Sequence, residues 1–401
     1  MNLTSGYPFW LIRYGLPYDY PVVQNNVKTE VAIMGGGISG ALTAYYLINA
    51  GVSCVVVDAR TIGLGSTCAS TSLLQYEIDT PLSELQYKVG LKNAVLAYKL
   101  CDESIDTLQA IAKKIKFKEF NKEKSLYYAA YKKDVKFIEE EFKIRKEHGF
   151  DVRLLDEKSI STDFYFSSPA AILSAQGAQT NAYSFTHALH QASIKKGAKV
   201  FDRTLIEKIT HSKNGVQLKT STGCIITAKK LVYATGYESV QYIDKKIVDL
   251  ESTYAVCSEQ GDADEAPFKN RTLLWNTADP YLYLRTTADN RILIGGRDER
   301  FYNPVHRDKL LVEKTKLLVA DFKKIYPGVE FKPEFNWCGT FGATKDGLPF
   351  IGSYKKLANS YFALGFGGNG ITFSLIAAEI LKDIITGKKN KTGPVFSFDR
   401  I

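Results

Sequence analysis

The chain lacks any apolar run approaching the roughly 18 residues of a membrane span, and it opens without a basic stretch followed by an apolar leader. Both absences point to a cytoplasmic protein with no integral membrane segment. Its six cysteines include no pair at metal-ligand spacing, so no metal site is expected. Five of them, Cys54, Cys68, Cys101, Cys224 and Cys257, read as reduced packing residues. His187, His190, His211 and His306 have no partner pattern around them and read as structural or exposed. No internal repeat or low-complexity segment is present. A net charge of +9 does not mark a nucleic-acid surface, because the lysines alternate with acids, as in Lys132 to Lys143. That pattern is a solvated helix face, and no basic stripe with stacking aromatics occurs.

What is present is large enough for two domains, at 401 residues. The run Val31-Ala-Ile-Met-Gly35-Gly-Gly37-Ile38-Ser39-Gly40, an apolar stretch to Leu47, and then Gly51 to Asp58 read as strand, glycine turn, helix and strand. Gly35 permits the turn, Gly37 lets backbone approach a pyrophosphate, and Gly40 lets the helix pack closely on its strand. The phosphates would meet free N–H groups at the start of the helix, Ile38 and Ser39 among them. Asp58, followed by Ala59 and Arg60, ends the second strand 18 residues after Gly40 and is placed to accept hydrogen bonds from an adenosine ribose. This is a dinucleotide site of Rossmann type.

Residues 1–27, rich in Tyr, Pro and Trp, read as an ordered arm. Residues 83–115 and 133–149 have helical apolar spacing, and a helix is expected between Thr186 and Lys196. Lys230 to Gly236 returns to the first sheet. From about 240 to 335 the signals are those of an antiparallel substrate sheet, with one helix near 308–325. The segment Tyr361 to Phe373 opens a second glycine-rich helix that runs to Ile385. The expected architecture is α/β (α+β overall): a discontinuous Rossmann-like domain of residues 1–85, 165–240 and 335–401, and a mainly antiparallel substrate domain of 86–164 and 241–334.

Several further motifs follow the fingerprint in order: Gly63-Leu-Gly65-Ser66-Thr67-Cys-Ala-Ser-Thr71-Ser72-Leu73, Ala234-Thr235-Gly236, Trp337 to Gly352, and Gly365-Phe-Gly367-Gly368-Asn369-Gly370. Over nearly its full length the chain resembles the flavin-dependent family of D-amino-acid oxidase, glycine oxidase and sarcosine oxidase. Its arm and the stretch at 74–77 are similar to the amine-oxidising branch typified by γ-glutamylputrescine oxidase. The resemblance implies bound FAD. It places Gly65 to Thr67 and Thr71 to Leu73 in a flavin-side loop, Thr235 and Gly236 on the returning strand, and Leu205 beside the adenine through backbone contacts. Gly367 to Thr372 would donate N–H groups to the flavin's pyrimidine end, where negative charge gathers on reduction.

Departures from the family pattern narrow the substrate. Where family members hold a substrate carboxylate with a cation, this chain has Gln75, Phe341 and Thr372. An unpaired buried carboxylate costs several kcal/mol, so an amine without that group is favoured unless Arg285 or Arg297 replaces the clamp. Tyr283 matches a substrate-facing tyrosine, and period two puts Tyr281, Tyr283 and Arg285 on one face. Tyr283, Gln75, Phe341 and Arg285 are the candidate catalytic residues, with Tyr254 a weaker one. Cys338 lies next to the position where sarcosine oxidases tether their flavin, so a tether stays open. Ile292 to Ile294 occupies the segment of the family's oxygen-promoting lysine, so the acceptor is oxygen or another carrier. The implied reaction is hydride transfer from a small-molecule amine to FAD, giving an imine that hydrolyses, with no side chain required as base. Oxidation of a 2-hydroxy acid, a nicotinamide dehydrogenase and a non-catalytic flavin-binding protein remain open alternatives.

Overall fold

A computed structural model describes residues 1–400. The fingerprint strand Val27–Met34 lies between two parallel neighbours, Cys54–Val57 and Ile225–Tyr233. Lys199–Phe201 and Ser360–Leu364 extend the parallel sheet on either side, and antiparallel Phe350–Ser353 closes one edge. The first half of Ile225–Tyr233 pairs instead with the meander Gly215–Thr220 and Ile206–Ser212. Strands covered on both faces read as continuous apolar runs, and alternate residues here enter different cores. Val31, Ile33 and Val56 face one core, while Ala32, Met34, Val55 and Val57 face another. The first core is covered by the helices Ile38–Asn49, Ala182–Ile194 and Gly370–Ile385, which pack on one another.

A second sheet has nine strands, in the order Thr4–Gly6, Pro333–Thr344, Val248–Ser258, Ile292–Glu299, Tyr283–Thr286, Leu273–Asn276, Ser125–Tyr128, Ala170–Ser174 and Val152–Asp156. All its pairings are antiparallel except that of Leu273–Asn276 with Ser125–Tyr128. The helix Pro304–Ile325 covers one face, and the functional cavity opens on the other. A small sheet of Leu73–Gln75, Gly177–Thr180 and Phe120–Lys122 stands beside it.

Several boundaries differ from those expected. The span 83–115 is two helices, Leu82–Val89 and Leu91–Lys114, because Gly90 between them adopts φ +80°. The helix expected from Thr186 starts at Ala182, since the Asn181 side chain accepts the Ser184 N–H and caps it earlier. Asn303 does the same for Pro304–Ile325. Pro333–Thr344, Ala170–Ser174 and Thr4–Gly6, which the expected segmentation put in the dinucleotide domain, run in the nine-stranded sheet. The reason is edge pairing: Pro333–Thr344 lies along the whole of Val248–Ser258 and leaves its far side for the arm. The arm is ordered as expected, and its helix Phe9–Tyr14 buries Phe9 and Trp10.

Candidate active site

One cavity of about 520 Å³ runs from the glycine turn to the open face of the nine-stranded sheet. At its first end the three fingerprint glycines have separable reasons. Gly35 takes φ +104°, and a Cβ there would lie 2.3 Å from the Ala234 carbonyl. A Cβ on Gly37 would approach Thr67 Oγ1 to 2.7 Å, and one on Gly40 would approach the Gly35 carbonyl to 1.9 Å. Gly40 therefore sits behind the cavity as the packing glycine, while Gly35, Gly37, Ile38 and Ser39 line it. His190, whose pKa burial lowers to about 4, is neutral and donates from Nε2 to the Gly36 carbonyl at 3.0 Å. It holds the turn from behind.

Asp58 lines the cavity at the end of its strand. Its Oδ2 accepts the Gly36 N–H at 2.7 Å and its Oδ1 the Arg60 N–H at 2.8 Å. Each oxygen keeps a lone pair for a ribose hydroxyl. Ala59, Arg60, Thr235, Gly236 and half-exposed Leu205 line the same end. The Arg60 guanidinium grips Glu238 at 2.6 and 2.8 Å.

The loop Gly65 to Leu73 forms the middle of the wall, with Gly65, Ser66, Thr67, Thr71, Ser72 and Leu73 on the lining. Thr67 Oγ1 accepts the Ile38 N–H at 3.1 Å, and Ser66 Oγ is buried without a partner. A glycine cradle that any side chain would fill, together with that orphaned hydroxyl, fits a phosphate-linked cofactor. Gly367, Gly368, Asn369, Gly370 and Ile371 complete this wall at the start of the last helix. Thr372 does not: it is buried, and its hydroxyl donates to the Asn369 carbonyl at 3.0 Å.

The other end gathers Gln75, Glu77, Asp79, Thr253, Trp275, Tyr281, Tyr283, Asp298 and Phe341. Tyr283 lies flat over Gly295, where a Cβ would reach its ring at 2.3 Å. Tyr281 donates to Asp79 Oδ1 at 3.1 Å, and Asp79 Oδ2 accepts the Gly368 N–H at 2.6 Å. Glu77 accepts from Ser174 at 2.7 Å and from buried Arg145 at 3.4 Å, while Arg145 also grips Glu141 at 2.6 Å. Asp298 Oδ1 is buried with no partner. Burial raises the carboxyl pKa of Glu77 and takes that of Asp298 to about 7, while Asp79 is exposed on the lining. Among the described residues, Arg60 is the one lysine or arginine on the lining.

Four residues expected at the site lie elsewhere. Arg285 does not reach the cavity: its Nη1 donates to the carbonyls of Thr71, Ser72 and Thr180 at 3.2, 3.0 and 2.8 Å. It supports the loop at Ser72, whose φ is +59°. Arg297 is held away by two 2.6 Å bonds to Asp321, so neither candidate clamp for a 2-hydroxy acid faces the cavity. Cys338 and Tyr254 belong to the core under Pro304–Ile325, and burial pushes the Cys338 thiol up to about 12. Its Sγ points to Asp308, which gives no route to a tether.

Glu77, Asp79, Trp275 and Asp298 were not expected. The alternation offered a signal for two of them: Leu73, Gln75, Glu77 and Asp79 line the cavity, while Leu74, Tyr76 and Ile78 are buried in the core. Trp275 and Asp298 carry no local signal.

A family model described as "DAO: FAD dependent oxidoreductase" matches residues 30–384. The chain belongs to this family of FAD-dependent oxidoreductases. Within the family it is 23% identical over 399 residues to γ-glutamylputrescine oxidoreductase of Escherichia coli (strain K12), covering 96% of this chain and 89% of that one. It is 24% identical over 398 residues to glycine oxidase of Bacillus licheniformis, covering 92% and 96%. Among solved structures, glycine oxidase of Geobacillus kaustophilus superposes with a TM-score of 0.76 at 19% identity, over 93% of this chain and 98% of that one. L-proline dehydrogenase of P. horikoshii gives 0.78 at 21%, over 92% and 96%. As a family member the protein is an FAD-dependent oxidoreductase, so the dinucleotide is FAD and the nicotinamide alternative falls. No helix among the described residues is long and apolar enough to cross a membrane.

Proposed function

We propose that this flavoprotein oxidises the C–N bond of an amine that carries no α-carboxylate, giving an imine that water hydrolyses. The observation that carries the reading is the charge of the substrate end: Asp79 and Asp298 line it without a lysine or arginine partner, while Glu77 beside them is paired with Arg145. A carboxylate entering there would find no cation to pair with and carboxyl groups beside it. The named relatives act on amines and amino acids, which supports C–N chemistry.

FAD held along Gly35 to Ser39, Asp58, the loop Gly65 to Leu73 and Gly367 to Ile371 supplies the two-electron acceptor. The free N–H groups at the start of Gly370–Ile385 would favour the negative charge of the reduced cofactor through the positive end of the helix dipole. Tyr283 and Phe341 fix the width of the substrate end, and Gln75, whose Nε2 donates to Ser125 at 3.1 Å, lines it beside them.

The test is an absorption spectrum of the purified protein before and after acid precipitation, followed by anaerobic titration with alkylamines and with α-amino acids. Flavin bands that leave with the supernatant, and that alkylamines bleach, support the reading. Bleaching by amino acids alone overturns it. Reoxidation by air or by an added quinone then identifies the acceptor.

A further inference from the structure

Two carboxylates at the substrate end of the cavity, Asp79 and Asp298, have no basic partner. The charge of Glu77 is answered by Arg145, that of Glu238 by Arg60, and Asp58 accepts two backbone N–H groups. Asp79 has only a peptide N–H and the Tyr281 hydroxyl, and Asp298 Oδ1 has nothing. Asp79 is exposed to the cavity, whereas Asp298, buried at Oδ1 without a counter-charge, either holds a proton or pairs with a cation supplied from outside. The rings beside them agree: Trp275, Tyr281 and Tyr283 line the same end, with centroids 6.3 Å apart for the first pair and 5.9 Å for the second. Aromatic faces attract ammonium groups, most strongly where water is excluded.

We infer that Asp298, with Asp79 and the three rings, forms a subsite for an alkylammonium ion, and that Asp298 accepts the bound ion's proton. The inference rests on the amine reading and names how the amine is held. The N–H bond of the ammonium breaks, an O–H bond forms on Asp298, and a neutral amine with a free lone pair remains next to the acceptor. Only the neutral form can lose hydride from its α-carbon, so the carboxylate serves first as counter-ion and then as base.

The groups facing Asp298 fix its titration. Glu251 on Val248–Ser258 and Asp79 repel its negative charge, Thr253 hydrogen-bonds it, and Lys314 on Pro304–Ile325 attracts it. Lys314 is already engaged by the Arg297 carbonyl and by Glu299, and Tyr281 and Tyr283 are neutral. The balance is acidic, and burial sets it near neutrality. Below about pH 7 an arriving ammonium must displace a proton from Asp298; above it the carboxylate is ready.

The probe is tert-butylammonium, which has no α-hydrogen and cannot be oxidised at carbon, titrated calorimetrically into the holoenzyme, with pivalate as the anion of similar shape. Wild-type protein is expected to bind the ammonium about tenfold more weakly at pH 6 than at pH 8, releasing close to one proton at pH 6. Asp298→Asn should weaken binding at pH 8 by about tenfold or more and lose both the pH dependence and the proton release. Equal affinity in Asp298→Asn, wild-type affinity that is flat between the two pH values, or pivalate binding as tightly as the ammonium overturns the subsite. The wild-type series decides the matter alone if the variant fails to fold. If the ammonium binds as stated but no amine bleaches the flavin, the oxidation reading fails and the subsite stands. If amines bleach wild type and Asp298→Asn with the same KM, the subsite fails and the oxidation reading stands.

Discussion

The two ends of the cavity are built by opposite means. The dinucleotide end is backbone: a glycine turn, helix N–H groups and an aspartate already holding two peptide donors, drawn mainly from Gly35 to Leu73. The substrate end is side chain: carboxylates and rings delivered by strands that are distant in sequence and adjacent in the nine-stranded sheet. At the first end Arg60 pairs with Glu238 and Asp58 is held by two peptide N–H groups; at the second, Asp298 Oδ1 has no donor and neither Asp79 nor Asp298 has a lysine or arginine partner. The first can therefore recognise one cofactor rigidly, while the second stores unfavourable electrostatic energy that a cationic ligand relieves.

The sharpest way to break the backbone end is Gly40→Ala, whose methyl would press on the Gly35 carbonyl. A stability loss on the order of 5 kcal/mol and purification without flavin are expected, read from the flavin-to-protein absorbance ratio and the thermal unfolding curve. At the substrate end, Asp298→Asn should act in the opposite direction. The wild-type carboxyl titrates near 7 when folded and near 3.8 unfolded, so the native state binds its proton more tightly. Wild-type stability therefore falls as pH rises from about 4 to about 7. The asparagine variant escapes that loss, and without amine present it should be more stable by about 4 kcal/mol at pH 8 and unchanged at pH 4. Denaturant midpoints at both pH values check this.

Between the two ends stands Arg285. Arg285→Met removes the guanidinium that three carbonyls around Ser72 share, the Ser72 carbonyl keeping the Thr180 N–H, and about 3 kcal/mol of stability should be lost together with tight flavin retention. A selective rise in KM for carboxylate substrates, with stability and flavin intact, would instead return Arg285 to the substrate site. The smallest expected effect is Phe341→Arg, which puts a cation at the substrate end. Amino-acid binding should improve about tenfold relative to alkylamines, measured as the ratio of their kcat/KM values.

The same contrast explains what the sequence made legible. Gly35, Gly37, Gly40 and Asp58 lie within one βαβ unit, where spacing alone determines geometry. The loop Gly65 to Leu73 and the segment Gly367 to Ile371 were recognisable because each is a contiguous motif. Asp298 was not, because its position follows from the pairing of Ile292–Glu299 with Val248–Ser258, a long-range register that no local pattern encodes. Arg285 shows the other limit: period two gives the face of a strand but not which carbonyls a long side chain will find. Helix starts at Asn181 and Asn303 were in principle readable, since both residues cap by accepting an N–H three positions on.

Asn369 joins the two ends directly. Its Nδ2 donates to the carbonyls of Gln75 and Glu77, at 3.1 and 2.7 Å, from the residue that precedes the last helix. One carboxamide thus acts as a tie-bar between the Gln75–Glu77 wall of the substrate end and the start of the helix Gly370–Ile385. A displacement of that helix would therefore be felt at Gln75 and Glu77, so the two ends of the cavity move as one piece of wall rather than as two.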